Sequence, residues 1–499
     1  MSALNVDAAI RALERGEHSI ASLAKICALP ETDIVLEAAN QYWLWGEPER
    51  ALPLLEDQLA RADSAPLQMA RIRCLISLAE ENRTAVKSAI ADLQAILRAR
   101  LGGQASLAPP EIDWRDDRKL RLGFVCTYSN LKPVELSLVP MLRAIDRARF
   151  HTSFFSLGQQ GNPALGEVCD EHVVLMGETP AGVCEAIRRR KIDVLFDLNG
   201  ILREDFPVEI FGLRGAPVQA GWWNTPVSCG LDSVQYYFMD RSILTASNHD
   251  LFTETIVEIP GGATLCYELP DREPVAPAPY LSSRTFTFGS FTALFKTNDA
   301  VLDSWAQILA RVPHTRLYIK AAHSTSERFQ RRLARVLGRH GIDRRRITCE
   351  EVDTFDVMMT RFAAVDLCLN TFNYGTGTTA LNAVWQGVPT LTFNGSLHYA
   401  RGTASMMVDC GLDDFVVPDV EAYIQKAVRL SAFPARLLEV RPLLRDHIRC
   451  YSTWLSPQRF VRNFEQACVN AWTHWRSSQA AAAARPASAF APSSRGSHA

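Results

Sequence analysis

The sequence lacks an excess of charge of either sign: 53 lysines and arginines stand against 55 aspartates and glutamates, a formal net charge of −2. Such a balance produces no overall field to gather nucleic acid or an anionic membrane, and leaves room only for local anion sites. The 12 cysteines include no C-x-x-C pair and no cysteine–histidine spacing of a zinc site. They read as buried, reduced thiols of a reducing compartment, and no metal is expected. No run of about 18 apolar residues, the length of a membrane helix, occurs. The opening MSALNVDAAIRALERGEHS has no apolar core behind a basic start. Together these absences point to a cytoplasmic protein.

What is present is a long globular chain. At 499 residues, 47% hydrophobic and 22% charged, it exceeds what one core supports and suits two or three domains. Residues 1–112 place apolar positions at helical spacing, as in DAAIRALERG and AVKSAIADLQAILRAR, and predict an all-helical domain. Within it, Tyr42-Trp43-Leu44-Trp45-Gly46 through Leu52 looks like the first helix and turn of a tetratricopeptide repeat. No second copy is found, so a degenerate repeat and a plain helical bundle both stand. Gly102-Gly103 and Pro109-Pro110 mark a linker.

From there β-rich apolar runs alternate with helical segments. Residues 120–128, 151–158 and 192–200 are strand candidates in a first region, 113–275. After a Pro- and Ser-rich linker around 270–285, residues 286–294, 315–322, 346–352, 365–372 and 390–395 are strand candidates in a second, 276–476. Strand–helix alternation predicts parallel sheets covered on both faces, hence two Rossmann-like α/β domains. The Ala/Ser/Pro-rich tail, 477–499, is expected to be disordered.

In such sheets ligands bind at the carboxyl ends of strands, near helix N-termini. The best candidate is Asn370-Thr371-Phe372-Asn373-Tyr374-Gly375-Thr376-Gly377-Thr378-Thr379, where two glycines permit a tight turn and two threonines open a helix. Gly375, Gly377, Thr378 and Thr379 would cradle a diphosphate. Lys296, which follows the first strand of the same domain, could supply the cation. Weaker candidates are Asp197 and Asn199 at a strand end, Trp222 and Trp223 as a stacking surface or core, and Asp232 and Asp240, for which no partner is readable.

The segments FGSFTALFKTNDAVLDSWAQILARVPHTRLYIK and DLCLNTFNYGTGTTALNAVWQGVPTLTFNGSLHYARGTAS resemble the C-terminal half of the protein O-GlcNAc transferase and SPINDLY-like family, glycosyltransferase family 41. RLGFVCTYSNLKPVELSLVPML, DLNGILREDFPVEIFGLRGAPVQAGWWNTP and FVRNFEQACVNAWTHW match in order, so the resemblance spans roughly 118–476 and is to a divergent, bacterial-type member. It implies a GT-B arrangement, with the acceptor side in the first Rossmann-like domain and the nucleotide-sugar in the second. The implied reaction is an inverting, metal-independent transfer from a nucleotide-sugar, a UDP-sugar above others, to a protein side chain. No cofactor is implied beyond that co-substrate, and the helical domain would present an acceptor protein or mediate self-association.

Carried over by position, the resemblance implies that Lys296 neutralises the leaving diphosphate and that Gly377, Thr378 and Thr379 donate to it. Val352 to Phe355 would border the base, His398 and Arg401 the donor, and Gln219 the diphosphate and sugar. The chain also departs from the family. Lys132 stands where the family has a histidine near the acceptor, and fits a phosphate or acceptor contact better than a base. Gly377 replaces His or Thr, Asn382 replaces a ribose-gripping carboxylate, and Met358 replaces a base-stacking histidine. These losses keep open a second reading, a non-catalytic transferase fold serving as scaffold or chaperone for another glycosyltransferase.

Overall fold

The structure, a computed structural model, describes residues 3–78, 82–102, 110, 112–158, 161–202, 208–223, 227–245, 249–271 and 274–483. Among the described residues before Leu120 the regular elements are helices, from Ala3–Glu14 to Arg83–Gly102. Most of the linker predicted after Gly102 lies outside the described residues, as does the tail from 484.

A first sheet of seven parallel strands follows: β1 Leu120–Cys126, β2 Phe150–Ser156, β3 Glu171–Val174, β4 Val194–Asp197, β5 Val218–Gly221, β6 Tyr236–Asp240 and β7 Thr255–Ile259, in the order β3-β2-β1-β4-β5-β6-β7. The second has six: β8 Phe286–Ser290, β9 Thr315–Lys320, β10 Ile347–Glu350, β11 Leu367–Leu369, β12 Thr390–Phe393 and β13 Val416–Val417, in the order β10-β9-β8-β11-β12-β13. Apart from β7, the two orders are the same, 3-2-1-4-5-6, the doubly wound Rossmann pattern. Central strands such as β4, VLFD, are buried throughout, as strands covered on both faces must be. The order reverses between β1 and β4 in one sheet and between β8 and β11 in the other, which places a crevice at each pair of strand ends.

Two boundaries read differently in three dimensions. The helix Pro457–Ala483 falls in the sequence with the second domain but lays its apolar face on the first. Phe464 sits 5.3 Å from Phe196 and 4.8 Å from Trp222, ring to ring, and Tyr236 bonds His474 at 2.7 Å. Periodicity reveals that a helix has an apolar face, not which sheet it covers. The same helix runs through 477–483, which the composition assigned to the disordered tail. Trp222, 1% exposed, is core beneath this helix and donates to Thr264 O at 2.9 Å.

The helical domain is bound into the rest. Asp232 receives Arg98 at 2.6 and 2.8 Å and Gln94 at 3.0 Å. Asp240 receives Ser405 of the second domain at 3.3 Å, so both aspartates have partners that the sequence does not show. Among the described residues no helix is long and apolar enough to cross a membrane.

Candidate functional site

The β8/β11 crevice brings together the two segments singled out in the sequence. From β8 the chain passes into a single 3-10 turn, Leu294–Lys296. From β11 it runs through Asn370–Gly377 into the helix Thr378–Trp385. Across the gap Lys296 Nζ donates to Gly375 O at 2.7 Å and stands 4.2 Å from the centre of the Tyr374 ring. Desolvation in this setting draws the ammonium down to about 7 from the usual range near 10.5.

The opposing loop is held rigidly. Asn370, 1% exposed, donates to Thr392 Oγ1 at 2.7 Å and accepts the Thr376 N–H at 3.0 Å. Thr371 Oγ1 donates to Tyr374 O at 2.7 Å. A Cβ on Gly375 would lie 2.9 Å from Thr403 Oγ1, so a side chain there would force that hydroxyl or the helix His398–Asp409 to shift. The Gly375 N–H donates to Tyr399 O at 3.1 Å, and its carbonyl accepts Lys296. The Gly375 N–H is therefore not free for an anion, and the residue shapes the turn and seats the lysine.

Gly377 differs. Its φ is 63°, in the left-handed region, and nothing lies within 4 Å of where a Cβ would be. Glycine is needed here for conformation, and the space in front is open. In the first turn of the following helix the Ala380 N–H bonds Gly377 O at 2.9 Å, whereas the N–H groups of Thr378 and Thr379 have no intrahelical acceptor, and both threonines are half-buried. An ammonium on one side and amides and hydroxyls at a helix N-terminus on the other make an anion cradle.

Further polar atoms converge on the same strand ends. Ser290 Oγ at the end of β8, Thr292 Oγ1 just after it and Asn373 Nδ2 after β11 are buried without a hydrogen-bond partner. Asn382, 4% exposed and one turn beyond Thr378, has a buried, unpartnered Oδ1. Beside Thr378 and Asn382 lies the hydroxyl of Tyr267, from the connection between the domains, with a well-formed bond to neither. Buried polar atoms left unpaired are few in folded proteins, and a group of them at a switch point marks where a ligand completes the bonding. Asn373 lies within the turn singled out in the sequence, whereas Tyr267, Ser290 and Thr292 carry no spacing signal that would pick them out.

The remaining candidates separate. Gln219 is fully buried: its amide donates to Phe211 O at 2.8 Å and Ser233 O at 3.0 Å and accepts Gly215 N–H at 3.1 Å. These bonds fix the start of β5, so Gln219 is structural and not a donor contact. Val352 is 61% exposed, and Phe355 is half-buried on the core. Their segment is fastened by Lys320 at the end of β9, whose Nζ reaches Glu351 O at 2.6 Å and Asp353 Oδ2 at 2.7 Å. His398 is buried, its ring 4.9 Å from that of Phe252 in the first domain, and so joins the domains. Arg401 donates to Gly395 O at 3.0 Å. Lys132 opens the helix after β1, at the facing crevice, and pairs with Glu135 at 2.5 Å.

At that facing crevice the described strand-end residues Asp197 and Asn199 bond to their own chain. Asp197 accepts the Asn199 N–H at 2.8 Å, and its complete burial pushes the carboxyl up to about 6. Asn199 Oδ1 accepts the Thr127 N–H at 2.8 Å and hydroxyl at 2.9 Å. Both are turn-forming residues.

Residues 278–464 match the family model described as glycosyl transferase family 41. The chain is 30% identical over 295 residues, 59% of its length and 31% of the relative's, to the probable UDP-N-acetylglucosamine–peptide N-acetylglucosaminyltransferase SPINDLY of Solanum lycopersicum. To the protein of the same description named SEC, from Arabidopsis thaliana, it is 22% identical over 372 residues, 71% of this chain and 37% of the relative. Among solved structures, a lysine-to-methionine mutant of the Thermobaculum terrenum O-GlcNAc transferase aligns with a TM-score of 0.82 at 26% identity, over 90% of this chain and 85% of that one. The chain spans about a third of the length of the curated relatives it matches. The fold is thus of the GT-B type, two Rossmann-like domains behind a helical region.

Proposed function

We propose that this chain, whose C-terminal domain belongs to glycosyl transferase family 41, transfers a sugar from a nucleotide-sugar, UDP-N-acetylglucosamine first among candidates, to a protein side chain. The observation that carries the reading is the placement of Lys296 across the β8/β11 crevice from the Gly377–Thr379 helix start. When the acceptor oxygen attacks the anomeric carbon from the face opposite the leaving diphosphate, configuration inverts. Negative charge then grows on the departing phosphate. The ammonium and the helix N-terminus stabilise that charge where it develops, the role of preorganised electrostatics, so that no metal is called upon. Lys132, on the facing domain and ion-paired to Glu135, fits an acceptor contact. The partners are a nucleotide-sugar and an acceptor protein presented by the helical domain, in the cytoplasm.

The nucleoside end is unlike the family's, because Asn382 is buried beside Tyr267 instead of offering a carboxylate. A thermal-shift screen of UDP- and GDP-sugars tests the reading, since a ligand at one hundred times its Kd stabilises by about 2.7 kcal/mol. Stabilisation by a UDP-sugar, with mass addition to a co-expressed acceptor that survives chelator, supports transfer. A chain that binds no nucleotide-sugar yet holds a second glycosyltransferase in a stoichiometric complex would instead support the scaffold reading.

A further inference from the structure

The turn Tyr42-Trp43-Leu44-Trp45-Gly46 plays no part in the reading above, yet it lies directly against the loop that carries Lys296. The Trp43 ring stacks on Phe295 at 4.3 Å and 27°. Phe295 packs into the core of the helical domain, with Tyr42, Trp45, Ala51 and Leu55. It also meets the edge of Tyr374 at 5.9 Å, the ring beneath the Lys296 ammonium. Trp43 is itself fixed, since its Nε1 donates to Ser77 Oγ at 2.8 Å, while Ser77 O accepts Asn298 Nδ2 at 3.3 Å. The neighbours of Lys296 on both sides are thus anchored in the helical domain.

The backbones also touch. Gly46 has a φ of 73°, and a Cβ there would lie 2.3 Å from Leu294 O and 2.9 Å from Thr297 O, the two ends of the lysine's turn. Buried Arg332 spans the same joint, donating to Trp45 O at 3.2 Å and Thr297 O at 2.8 Å. Arg328 lies over the Trp45 ring at 4.3 Å and pairs with Glu14 at 2.8 Å and with Glu47. By contrast, the Leu294–Lys296 turn has three residues and no side-chain cap. So short a segment does not hold a flexible lysine by itself.

We propose that the Trp43–Gly46 turn is a positioning element for Lys296, acting through Phe295 and the Leu294–Thr297 backbone, so that the helical domain helps to hold the donor diphosphate. The proposal rests on the reading of Lys296 as the phosphate cation. A displacement of about 1 Å at a positioning residue can cost on the order of 10²-fold in rate. The helical domain then sets donor affinity as well as acceptor presentation.

The test uses the full chain with Trp43→Ala, Trp43→Phe and Gly46→Ala, checked for native unfolding transitions. Two quantities are read: affinity for UDP-N-acetylglucosamine by calorimetry, and the titration midpoint of the Lys296 amine by NMR after isotopic methylation, without donor. Trp43→Ala and Gly46→Ala are expected to weaken donor binding about tenfold or more, and to move the midpoint up toward about 10.4 as water reaches the amine. Trp43→Phe, which keeps a ring on Phe295, should preserve both. If Trp43→Ala does not fold, Gly46→Ala decides. Unchanged affinity and unchanged midpoint in a folded Gly46→Ala overturn the proposal. A wild type that binds no UDP-N-acetylglucosamine, but whose Lys296 midpoint moves in these variants, would uphold the coupling while sinking the donor reading.

Discussion

The two α/β domains share one strand order and treat their switch points in opposite ways. In the first, Asn199 bridges the ends of β1 and β4, bonding Thr127 and Val125, and Asp197 closes the turn beneath it. In the second, Asn370, the first residue after β11, bonds sideways to Thr392 of β12 and to its own loop. The β8/β11 gap is left for a lysine, an open helix N-terminus and a set of unpaired hydroxyls. With the same strand order, the described strand-end side chains bond to one another in the first crevice, while in the second several buried polar atoms have no partner. Fold alone does not tell them apart; the side chains at the strand ends do.

The contrast can be broken by exchanging the kinds of loss. The largest effect is expected from Lys296→Ala, which should lower kcat/KM by about 3 kcal/mol, the size of one lost oxyanion donor, while leaving the thermal midpoint undiminished because a desolvated cation is removed. Steady-state kinetics beside calorimetric unfolding checks both halves. Asp197→Ala should do the reverse. It orphans the buried N–H groups of Asn199 and Gly200, for a stability loss of about 2 kcal/mol in urea titration, with donor affinity of the folded protein kept.

A smaller effect comes from pH. The cradle needs Lys296 charged, and its free-state midpoint is about 7. Below that value the amine is already an ammonium, so affinity for UDP-N-acetylglucosamine should be flat. Above it, binding must take up a proton, and affinity should fall toward about tenfold per pH unit, 1.4 kcal/mol, in calorimetric titrations from pH 6 to 9. Lys296→Met should flatten the profile. The smallest change is Gly377→Ala, which meets no atom but must adopt a φ of 63°. It should cost about 1 kcal/mol of stability, and guanidinium unfolding would register it.

How much of this was legible in the sequence follows from range. The alternation of apolar runs and amphipathic helices is local, and it predicted two parallel α/β domains behind a helical region. Strands β3, β5, β6, β7 and β13 have no counterpart among the candidates, although β4, β11 and β12, which do, are no longer than β3, β5, β6 or β7. Lys296 and the glycine–threonine turn were legible through strand-end position and family resemblance together. Gln219 was misread because its matching stretch does not reveal that three neighbouring backbone groups consume its amide. Tyr267 and Trp43 act through contacts made at long range, which no spacing encodes.

The central claim is that a donor diphosphate lies between Lys296 and the start of the Thr378–Trp385 helix, and a crystal structure with UDP-N-acetylglucosamine tests it most directly. Phosphate oxygens are expected within about 3 Å of Lys296 Nζ and of the Thr378 or Thr379 N–H groups. A diphosphate bound elsewhere, with Lys296 still on the Gly375 carbonyl, would contradict it.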